Sequence, residues 1–302
     1  YRLIKEMKME NELSFAEKVE LFQATASSPK AREEYAQSRA KVILPLIEEQ
    51  STIRNIFKPE QLPPGSQALY DIPFDDIEAC WTMPQIGGIP QIQVEGTEIL
   101  VTTFGLQAAV EYQMDIAREG RFQVGELATK LLLDKVVRQE ELAGWSLIKS
   151  HAAVVPADQK VAASALDVTA FNDIVTKGDI LRRKITDLYV SPSRYSDLRS
   201  WVTTSTHSER LKDTAFSGSG MNDVWDVRIH KVYNSDLVAN NKGYAFGQRD
   251  GFTYGVMPVR QTLQTFDNPM SLINGWKIGI MAREVLGFGV LDDKGLIEVT
   301  FS

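Results

Sequence analysis

The chain has 302 residues, of which 43% are hydrophobic and 24% are charged, and its formal net charge is −7. It is long enough to bury a sizeable core, as one large domain or two of ordinary size, and its composition excludes an intrinsically disordered protein. No run of about 18 apolar residues occurs, and residues 1–22 alternate charged and apolar positions, so we expect neither a membrane span nor an export signal. A single cysteine, Cys80, excludes an internal disulfide framework.

The negative charge is concentrated in one segment. Residues 59–117 contain nine acidic residues and no lysine or arginine, whereas residues 1–58 (ten basic, nine acidic) and 118–302 (23 basic, 22 acidic) each carry +1. The acidic residues are Glu60, Asp71, Asp75, Asp76, Glu78, Glu95, Glu98, Glu111 and Asp115. Such a segment is commonly a solvated face, but its lack of local counter-ions also fits contact with a basic surface of another subunit. No basic patch suited to sequence-specific nucleic-acid recognition is apparent.

Residues 1–58 predict two helices. Ser14 and Glu17 form a capping-box pattern before the first, and Ser28-Pro29 supplies an N-cap with proline at the first position of the second. Pro45 is expected to kink or end the second helix. Neither helix is apolar enough to form a core of its own, so we expect an arm that lies across other surfaces.

Residues 61–103 change to short β-like runs punctuated by proline and glycine. Pro73 and Pro90 lie within these runs and favour edge strands or a projecting hairpin over a central sheet. An extended, acidic segment of this kind buries little within its own subunit, so we expect it to lie against a neighbour.

Residues 124–151 predict one long amphipathic helix, about 42 Å in length at 1.5 Å per residue. Its apolar positions recur mostly at spacings of three or four: Leu127, Ala128, Leu131, Leu132, Val136, Ala143 and Leu147. Additional apolar residues at 131–133 and 136–137 widen this face beyond one stripe, which predicts packing partners on more than one side of the helix.

Further along the chain, residues 168–185 predict an amphipathic helix that includes Leu181 and Ile185 on its apolar face. A short buried strand then stops at Pro192 and is followed by another short helix, an order typical of α/β or α+β proteins. Residues 217–220, Ser-Gly-Ser-Gly, predict a flexible loop.

The last third of the chain is dominated by strand patterns. Alternation around residues 227–233 is followed by short strands at 243–247, 251–256 and 276–280. Residues 285–291 and 296–301 flank a turn at 292–295 in which Gly295 is expected to be left-handed, so we predict a terminal hairpin.

The sequence contains no pattern that identifies a catalytic, cofactor-binding or metal-binding residue. The three histidines, His151, His207 and His230, lack ligand-like spacing, and residues 217–220 lack the lysine of a phosphate-binding loop. Gly287 and Gly289 lie in a strand pattern and not at the start of a helix, which excludes a dinucleotide fingerprint. The adjacent acids at 75–76 and 292–293 would point to opposite faces of a strand, and no nucleophile-elbow motif is present. A soluble α/β enzyme with an unmarked active site therefore stays open only as an alternative.

Three stretches carry a resemblance to a known family. They are residues 98–119 leading into 122–145, residues 185–201, and residues 221–234 followed by 243–256. Together they resemble the major capsid proteins of tailed bacteriophages, which have the α+β Hong Kong ninety-seven-like fold. The resemblance implies an N-terminal helical arm at 1–67, an extended E-loop hairpin at 68–104, a P-domain with a spine helix at 105–165 and an α/β A-domain at 166–254. Residues 255–302 would supply C-terminal strands that complete the P- and A-domains.

This resemblance implies a structural protein that contacts copies of itself. Hexamers and pentamers would form an icosahedral head that encloses double-stranded DNA, contacted without sequence specificity. Assembly would occur in the host cytoplasm, with scaffold, portal and decoration proteins as further partners. An encapsulin, the shell of a bacterial nanocompartment, has the same fold and stays open as an alternative.

The charge asymmetry suggests which residues of such a shell would meet. The acidic candidates are Asp71, Asp75, Asp76, Glu78, Glu95 and Glu98, and the basic candidates on a neighbouring subunit are Lys177, Arg182, Arg183, Lys184, Arg194 and Arg199. We expect replacement of Asp75, Asp76 and Glu78 by neutral residues to weaken assembly at low salt, which light scattering would measure. Assembly unchanged by these replacements would remove the hypothesis.

Overall fold

A computed structural model describes residues 15–63, 65–72, 97–204, 223–224, 226–249 and 253–302. These divide into two compact units, each built from separate stretches of chain. Unit 1 is Tyr1–Thr52, Thr103–Glu141 and Val259–Leu286; unit 2 is Ile53–Thr102, Leu142–Pro258 and Gly287–Ser302. The five segments predicted from the sequence are each one continuous stretch of chain, whereas these two units are not. The assignment of those segments as arm, E-loop, P-domain, A-domain and C-terminal strands stays a prediction.

The described residues combine helices with three β-sheets. The helices are α1 Phe15–Ser27, α2 Pro29–Gln50, α3 Ile53–Ile56, α4 Met114–Arg118, α5 Phe122–Val154, α6 Val168–Ile180, α7 Pro192–Thr204 and α8 Pro269–Gly275. The strands are β1 Phe57–Gln61, β2 Leu69–Ile72, β3 Thr97–Leu100, β4 Thr103–Gln113, β5 Lys160–Ala163, β6 Lys184–Val190, β7 Asp223–Val224, β8 Val227–Lys231, β9 Lys242–Gln248, β10 Gly255–Asp267, β11 Lys277–Gly287, β12 Gly289–Val290 and β13 Leu296–Phe301.

The sheets mix parallel and antiparallel pairs. One sheet has the strand order β1-β10-β11-β4 with β12 on β10, a second has the order β5-β13-β9-β6-β8-β7, and β2 pairs with β3 alone. In the six-stranded sheet, β6–β8 and β13–β5 are parallel while β6–β9 and β13–β9 are antiparallel. The predicted α+β class is confirmed.

The core of unit 1 packs the first two helices against the beginning of α5. The ring of Phe22 lies 5.8 Å from that of Tyr35 and 5.9 Å from that of Phe122. A side chain at Gly125 would lie 2.7 Å from Phe22 and 2.8 Å from the Tyr35 hydroxyl, so only glycine fits this close approach. Residues expected to form an arm across other surfaces thus contribute to the core of their own unit.

Helix α2 starts as predicted and runs further than predicted. The Ala31 N–H donates to the Ser28 hydroxyl (3.4 Å), which confirms the N-cap. The helix does not end at Pro45 but continues to Gln50. Ile43 and Ile47 are fully buried on either side of this proline, and their burial offsets the lost backbone hydrogen bond. The capping box before α1 lies outside the description, because Ser14 and the side chain of Glu17 are not described.

The predicted long helix is confirmed as α5, a helix of 33 residues and about 50 Å. Leu132 and Val136 are buried in the core of unit 1. Leu127 and Leu131, predicted on the same apolar face, are instead 57% and 46% exposed. The wide face was predicted to have packing partners on more than one side, but within the described residues the side that carries these leucines is uncovered.

Helix α6 ends at Ile180, five residues earlier than predicted, because the chain turns there. Arg182 adopts a left-handed conformation with φ of 58°. Its N–H donates to the Asp179 carbonyl (3.0 Å), and the Arg183 N–H donates to the Gly178 carbonyl (2.8 Å), which is the Schellman pattern of a helix end. Ile185, assigned to the helix from its spacing, therefore lies in strand β6.

The predicted terminal hairpin is wrong. Strand β12 pairs with β10, whereas β13 lies between β5 and β9 in the other sheet. Leu296 to Val299 are buried on both faces of β13, as in an interior strand of a sheet that is covered on both sides. Gly295 is buried and is not left-handed; the glycines with positive φ in the described residues are Gly65 and Gly120.

Several predictions about the middle of the chain are confirmed. Strand β6 stops before Pro192 and α7 begins there, while β8 and β9 match the alternation at 227–233 and 243–247. The predicted loop at 217–220 lies outside the described residues. Cys80, Pro73, Pro90 and His207 also lie outside them.

Candidate assembly interface

Strands β2 and β3 form a two-stranded antiparallel stem at the base of the predicted E-loop. In its register, Leu69 faces Leu100 and Asp71 faces Glu98. Side chains alternate between the two faces of a strand, so these four residues share one face of the stem. The other face, with Tyr70 and Ile99, packs against a small cluster of Ala68, Val101 and Val256.

The outer face of the stem is both apolar and acidic. Leu69 is 46% exposed and Leu100 is 61% exposed, and Asp71 and Glu98 are exposed as well. Like charges directly opposite each other on a strand pair destabilise it. Within the described ranges, neither carboxylate forms an ion pair. This face is unfavourable in an isolated subunit and would be favourable against a partner that supplies leucine-sized apolar contacts and positive charge.

The other acidic residues of the segment at 59–117 differ in the ion pairs and hydrogen bonds that they form. Glu111 accepts a hydrogen bond from Ser271 (2.6 Å) and pairs with Lys277 (3.4 Å), and Asp115 pairs with Arg118 (3.5 Å). The counter-ion of Glu111 is therefore distant in sequence, and the counter-ion of Asp115 lies just beyond the acidic segment. Burial, together with the charge and hydrogen bond of Glu60, raises the pKa of Tyr70 to about 12. The candidates Asp75, Asp76, Glu78 and Glu95 lie outside the described residues.

Arg183 is not available to a neighbouring subunit, which corrects one of the predicted contacts. Its side chain is buried, and its Nε and Nη2 atoms donate to the two carboxylate oxygens of Asp292 at 2.5 and 3.1 Å. A charge this deeply buried is found with a partner inside the same fold. Sequence position alone did not reveal this, because Asp292 is far away in the chain.

The other basic candidates are engaged to different degrees. Arg194 donates to the Ser164 carbonyl (3.0 Å), and Lys177 donates to the Lys160 carbonyl. Lys184 pairs with Asp226 (3.6 Å) on the surface, and Arg182 is exposed. The side chain of Arg199 lies outside the description. The structure therefore leaves Arg182 and Lys184 as the exposed members of the predicted basic set.

Additional exposed apolar residues occur in unit 1. Met270 and Ile273 of α8 are exposed, and Trp276, the left-handed residue that ends this helix, is 70% exposed. Sequence reasoning missed them because α8 itself was not predicted. Exposed large apolar side chains in a group are typical of protein contact surfaces.

The two histidines that the structure describes, His151 and His230, make structural contacts. His230 Nε2 lies 2.8 Å from Asp187 Oδ1, and its ring stacks on Tyr189 at 4.5 Å; His151 Nδ1 lies 2.9 Å from the Tyr254 hydroxyl. Burial lowers the pKa of His151 despite the nearby carboxylate of Asp293. In the part of the chain that the structure describes, no group of three or more potential ligands is arranged to hold a metal ion.

Asp187 gives unit 2 a testable dependence on pH. Burial acts to raise its pKa, but hydrogen bonds from His230 and Thr186 and the charge of Arg228 hold that pKa below its usual value. A carboxyl group with a lowered pKa stabilises the fold above its unfolded value, near pH 4, and this stabilisation is lost as the pH falls through the folded value.

We therefore expect Asp187→Asn to lower the urea midpoint at neutral pH and to make the loss of stability on acidification shallower. Urea unfolding followed by circular dichroism over a pH series measures both effects. Asp226→Asn, which removes an exposed carboxyl group, is the matched control and should leave the profile unchanged. Parallel acid profiles for wild type and Asp187→Asn would contradict the assignment.

None of the helices in the described residues is both long enough and apolar enough to cross a bilayer.

Comparison with known proteins gives a match in structure alone. No protein-family model and no curated protein sequence matches the chain. The capsid chain of a native GTA particle superposes with a TM-score of 0.61 and 14% identity, over 83% of this chain and 90% of that one. The chain has the Hong Kong ninety-seven-like fold.

Two phage structures show the same fold. A chain from Microbacterium phage Oxtober96 matches with a TM-score of 0.59 and 11% identity, over 83% of this chain and 91% of that chain. A chain from the mature capsid of bacteriophage PhiM1 matches with a TM-score of 0.53 and 14% identity, over 84% and 87%. The Hong Kong ninety-seven-like fold thus extends over most of this chain, as the sequence resemblance predicted.

Proposed function

We propose that this chain is the major capsid protein of a tailed bacteriophage. The observation that carries the proposal is the superposition on a capsid chain with a TM-score of 0.61, over 83% of this chain and 90% of that chain. A structural likeness that spans most of both chains supports a shared role as a shell subunit. A likeness confined to one domain would support it less. In this proposal the protein is structural, and its functional residues are those that contact other copies.

The exposed surfaces of the isolated subunit support self-association. The stem presents two leucines beside two opposed carboxylates, and α5 and α8 present further leucine, methionine, isoleucine and tryptophan side chains. Burial of such side chains between subunits stabilises an assembly by about 25 cal/mol per Å² of apolar surface, less the cost of ordering.

The proposed assembly is a virion shell. Hexamers and pentamers of the chain would form an icosahedral head in the host cytoplasm, with scaffold, portal and decoration proteins as partners. Double-stranded DNA inside would be contacted without sequence specificity. The net charge of −7 fits such loose contact, because tight binding to phosphates would need many basic residues.

Sedimentation of the purified protein with negative-stain electron microscopy tests the proposal. We expect closed shells, or rings of five and six subunits that convert to shells. A small discrete oligomer under all conditions would instead favour a soluble enzyme. Nuclease-protected double-stranded DNA in particles from the native source would separate a virion from an encapsulin, whose shells would contain protein cargo.

The E-loop chemistry predicts how the shell is held together. In one branch of the resembled family, subunits are cross-linked covalently through an E-loop lysine, but residues 71–100 of this chain contain none. We expect mature particles to give only the monomer band in denaturing gel electrophoresis. A ladder of covalent oligomers would contradict this expectation.

A further inference from the structure

We propose that strand β4 pairs antiparallel with β4 of a second copy of this chain, about a two-fold axis that passes beside Ala109. The contact joins the sheets of two copies edge to edge through backbone hydrogen bonds. This inference rests on the proposed function, because it requires contact between copies, and it identifies the residues of one such contact.

Strand β4 is a long edge strand without the usual protection against pairing. Among the strands that the structure describes, β4 has a neighbour, β11, on one side only. It is 11 residues long and contains no proline, lysine or arginine. The free edge of such a strand presents a row of backbone N–H and C=O groups with which another strand can pair.

The other edges of the described sheets differ from β4 in this respect. Strand β1, at the opposite edge of the same sheet, has five residues, which include Lys58 and Pro59. The edge strands β5 and β7 of the six-stranded sheet have four and two residues, and β2 and β3 have four each. Short strands, lysine and proline are features with which native proteins block edge pairing. Their absence from β4 indicates that this edge is available to a partner.

The side chains of β4 that face the core are incompletely covered in one copy. Leu106, Ala108 and Val110 pack against the core of unit 1 but are only partly buried. A strand added at the free edge would place its own core-facing side chains beside them. This removes apolar surface from water and adds cross-strand side-chain pairs.

Charge selects the register of the pair. The outer face of β4 exposes Gln107, Ala109 and Glu111. When Ala109 lies opposite its counterpart, Glu111 of each copy lies opposite Gln107 of the other, whose amide can donate to the carboxylate. A register centred on Glu111 would instead set two carboxylates opposite each other, which destabilises a strand pair.

The same register covers two exposed aromatic side chains. It places Phe104, which is 63% exposed, at the position of Met114 of the second copy. The Met114 N–H donates to the carbonyl of Trp276 (3.1 Å), so Trp276, which is 70% exposed, is adjacent to this position. Two exposed aromatic residues would therefore meet at both ends of the pair. A register centred on Ala108 places Phe104 opposite Tyr112, which is already buried.

The symmetry of this contact is compatible with a shell. Directly opposite residues of an antiparallel pair point to the same face of the sheet, so the two-fold axis is perpendicular to the sheet. The side of the sheet that carries the core of unit 1 therefore lies on the same side in both copies, as a shell with distinct inner and outer surfaces requires. Two-fold contacts of this isologous kind are the commonest between identical subunits.

Cysteine cross-linking measures the register directly. All variants carry C80S, which removes the single native thiol. A109C places two cysteines opposite each other with Cα atoms about 4.5–5.5 Å apart, which is within disulfide range. Q107C alone leaves its two copies about 14 Å apart along the strands, which is beyond that range, whereas Q107C combined with E111C again sets cysteine opposite cysteine. The readout is the dimer band in non-reducing denaturing gels after oxidation with copper phenanthroline.

We expect A109C and the combined Q107C and E111C chain to form at least about tenfold more covalent dimer than Q107C alone, because only they bring thiols within reach. In a second test, A109K sets two lysines opposite each other and should lower the yield of sedimenting particles. T262K is the matched control, because Thr262 is exposed on β10 of the same sheet and away from its edge. Circular dichroism and urea unfolding check that each variant folds as wild type does.

Three outcomes would overturn the inference. A109C could stay monomeric in closed shells, Q107C alone could cross-link as well as A109C, or A109K could assemble as wild type does. In each of these cases the protein still forms shells, so the proposed function stands while the β4 contact fails. Cross-linked A109C dimers in a protein that forms no shell would instead support the β4 contact and remove the proposed function.

Discussion

Asp292→Ala is expected to lower the free energy of unfolding of the isolated subunit by about 3–5 kcal/mol, because it leaves the buried guanidinium of Arg183 without its carboxylate. The two side chains are 3% and 5% exposed, and two donor–acceptor contacts of 2.5 and 3.1 Å join them. The pair connects the start of β6 to the turn that precedes β13. Urea unfolding followed by circular dichroism measures the change.

Two variants make this expectation specific. Asp226→Asn removes one side of an ion pair whose side chains are both exposed and keeps a residue that tolerates the left-handed backbone at this position, so it should change stability little. Replacement of both Arg183 and Asp292 by apolar residues of similar size should cost much less than Asp292→Ala alone, since no buried charge is then left unpaired. An Asp292→Ala protein as stable as wild type would show that the guanidinium finds water or another partner.

Trp145→Ala is expected to destabilise the subunit by about 3–5 kcal/mol, since it deletes the largest fully buried side chain among the described residues and leaves a cavity. The indole lies in α5 with its ring 5.6 Å from that of Tyr189 and 5.7 Å from that of Tyr244. Both tyrosines belong to the six-stranded sheet, so this contact holds the second half of the helix on the sheet of unit 2.

Trp276→Ala provides the matched control, because Trp276 is 70% exposed in the same subunit. We expect it to change the stability of the unassembled protein by about 0.5 kcal/mol or less. Circular dichroism is the readout for both variants, since tryptophan fluorescence changes with the substitution itself. Equal losses at the two positions would contradict the burial difference on which this prediction depends.

The elements predicted best are those in which local pattern and tertiary environment agree. In α5, strong helix formers and apolar spacing coincide over many turns, and the N-cap of α2 needs only Ser28 and the proline that follows it. Pro45 was predicted to kink or end α2, and the helix does not end there, because the local cost of a proline is smaller than the burial gained by Ile43 and Ile47. Whether the helix continues past Pro45 therefore depends on tertiary packing, which a single sequence does not reveal.

The terminal hairpin failed for a related reason. Two strand-like runs around a turn predict a hairpin, yet the run that became β13 is buried on both faces and pairs with β5 and β9. The sequence carries no clear signal for this choice, because Glu298 and Thr300 alternate with apolar residues as they would in a half-buried strand of a hairpin. The partners of β13 could not be identified, because both lie far away in the chain.

The interface between subunits stays a prediction, and the structure adds detail to the residues proposed for it. Charge counting identified the acidic segment, and the register of β2 and β3 then placed Asp71 opposite Glu98. The basic side was assigned from composition alone, and the burial of Arg183 removes one member of that set. The exposure of Leu127 and Leu131 depends on which side of α5 the core covers, and amphipathic spacing cannot decide this when the apolar face is wide.

Electron cryomicroscopy of the assembled protein, at a resolution that traces the chain, tests the central claim most directly. We expect a closed shell of five- and six-membered rings in which the stem of each copy lies on a neighbouring copy. A compact monomer or small oligomer, with the stem folded back onto its own subunit, would contradict the account.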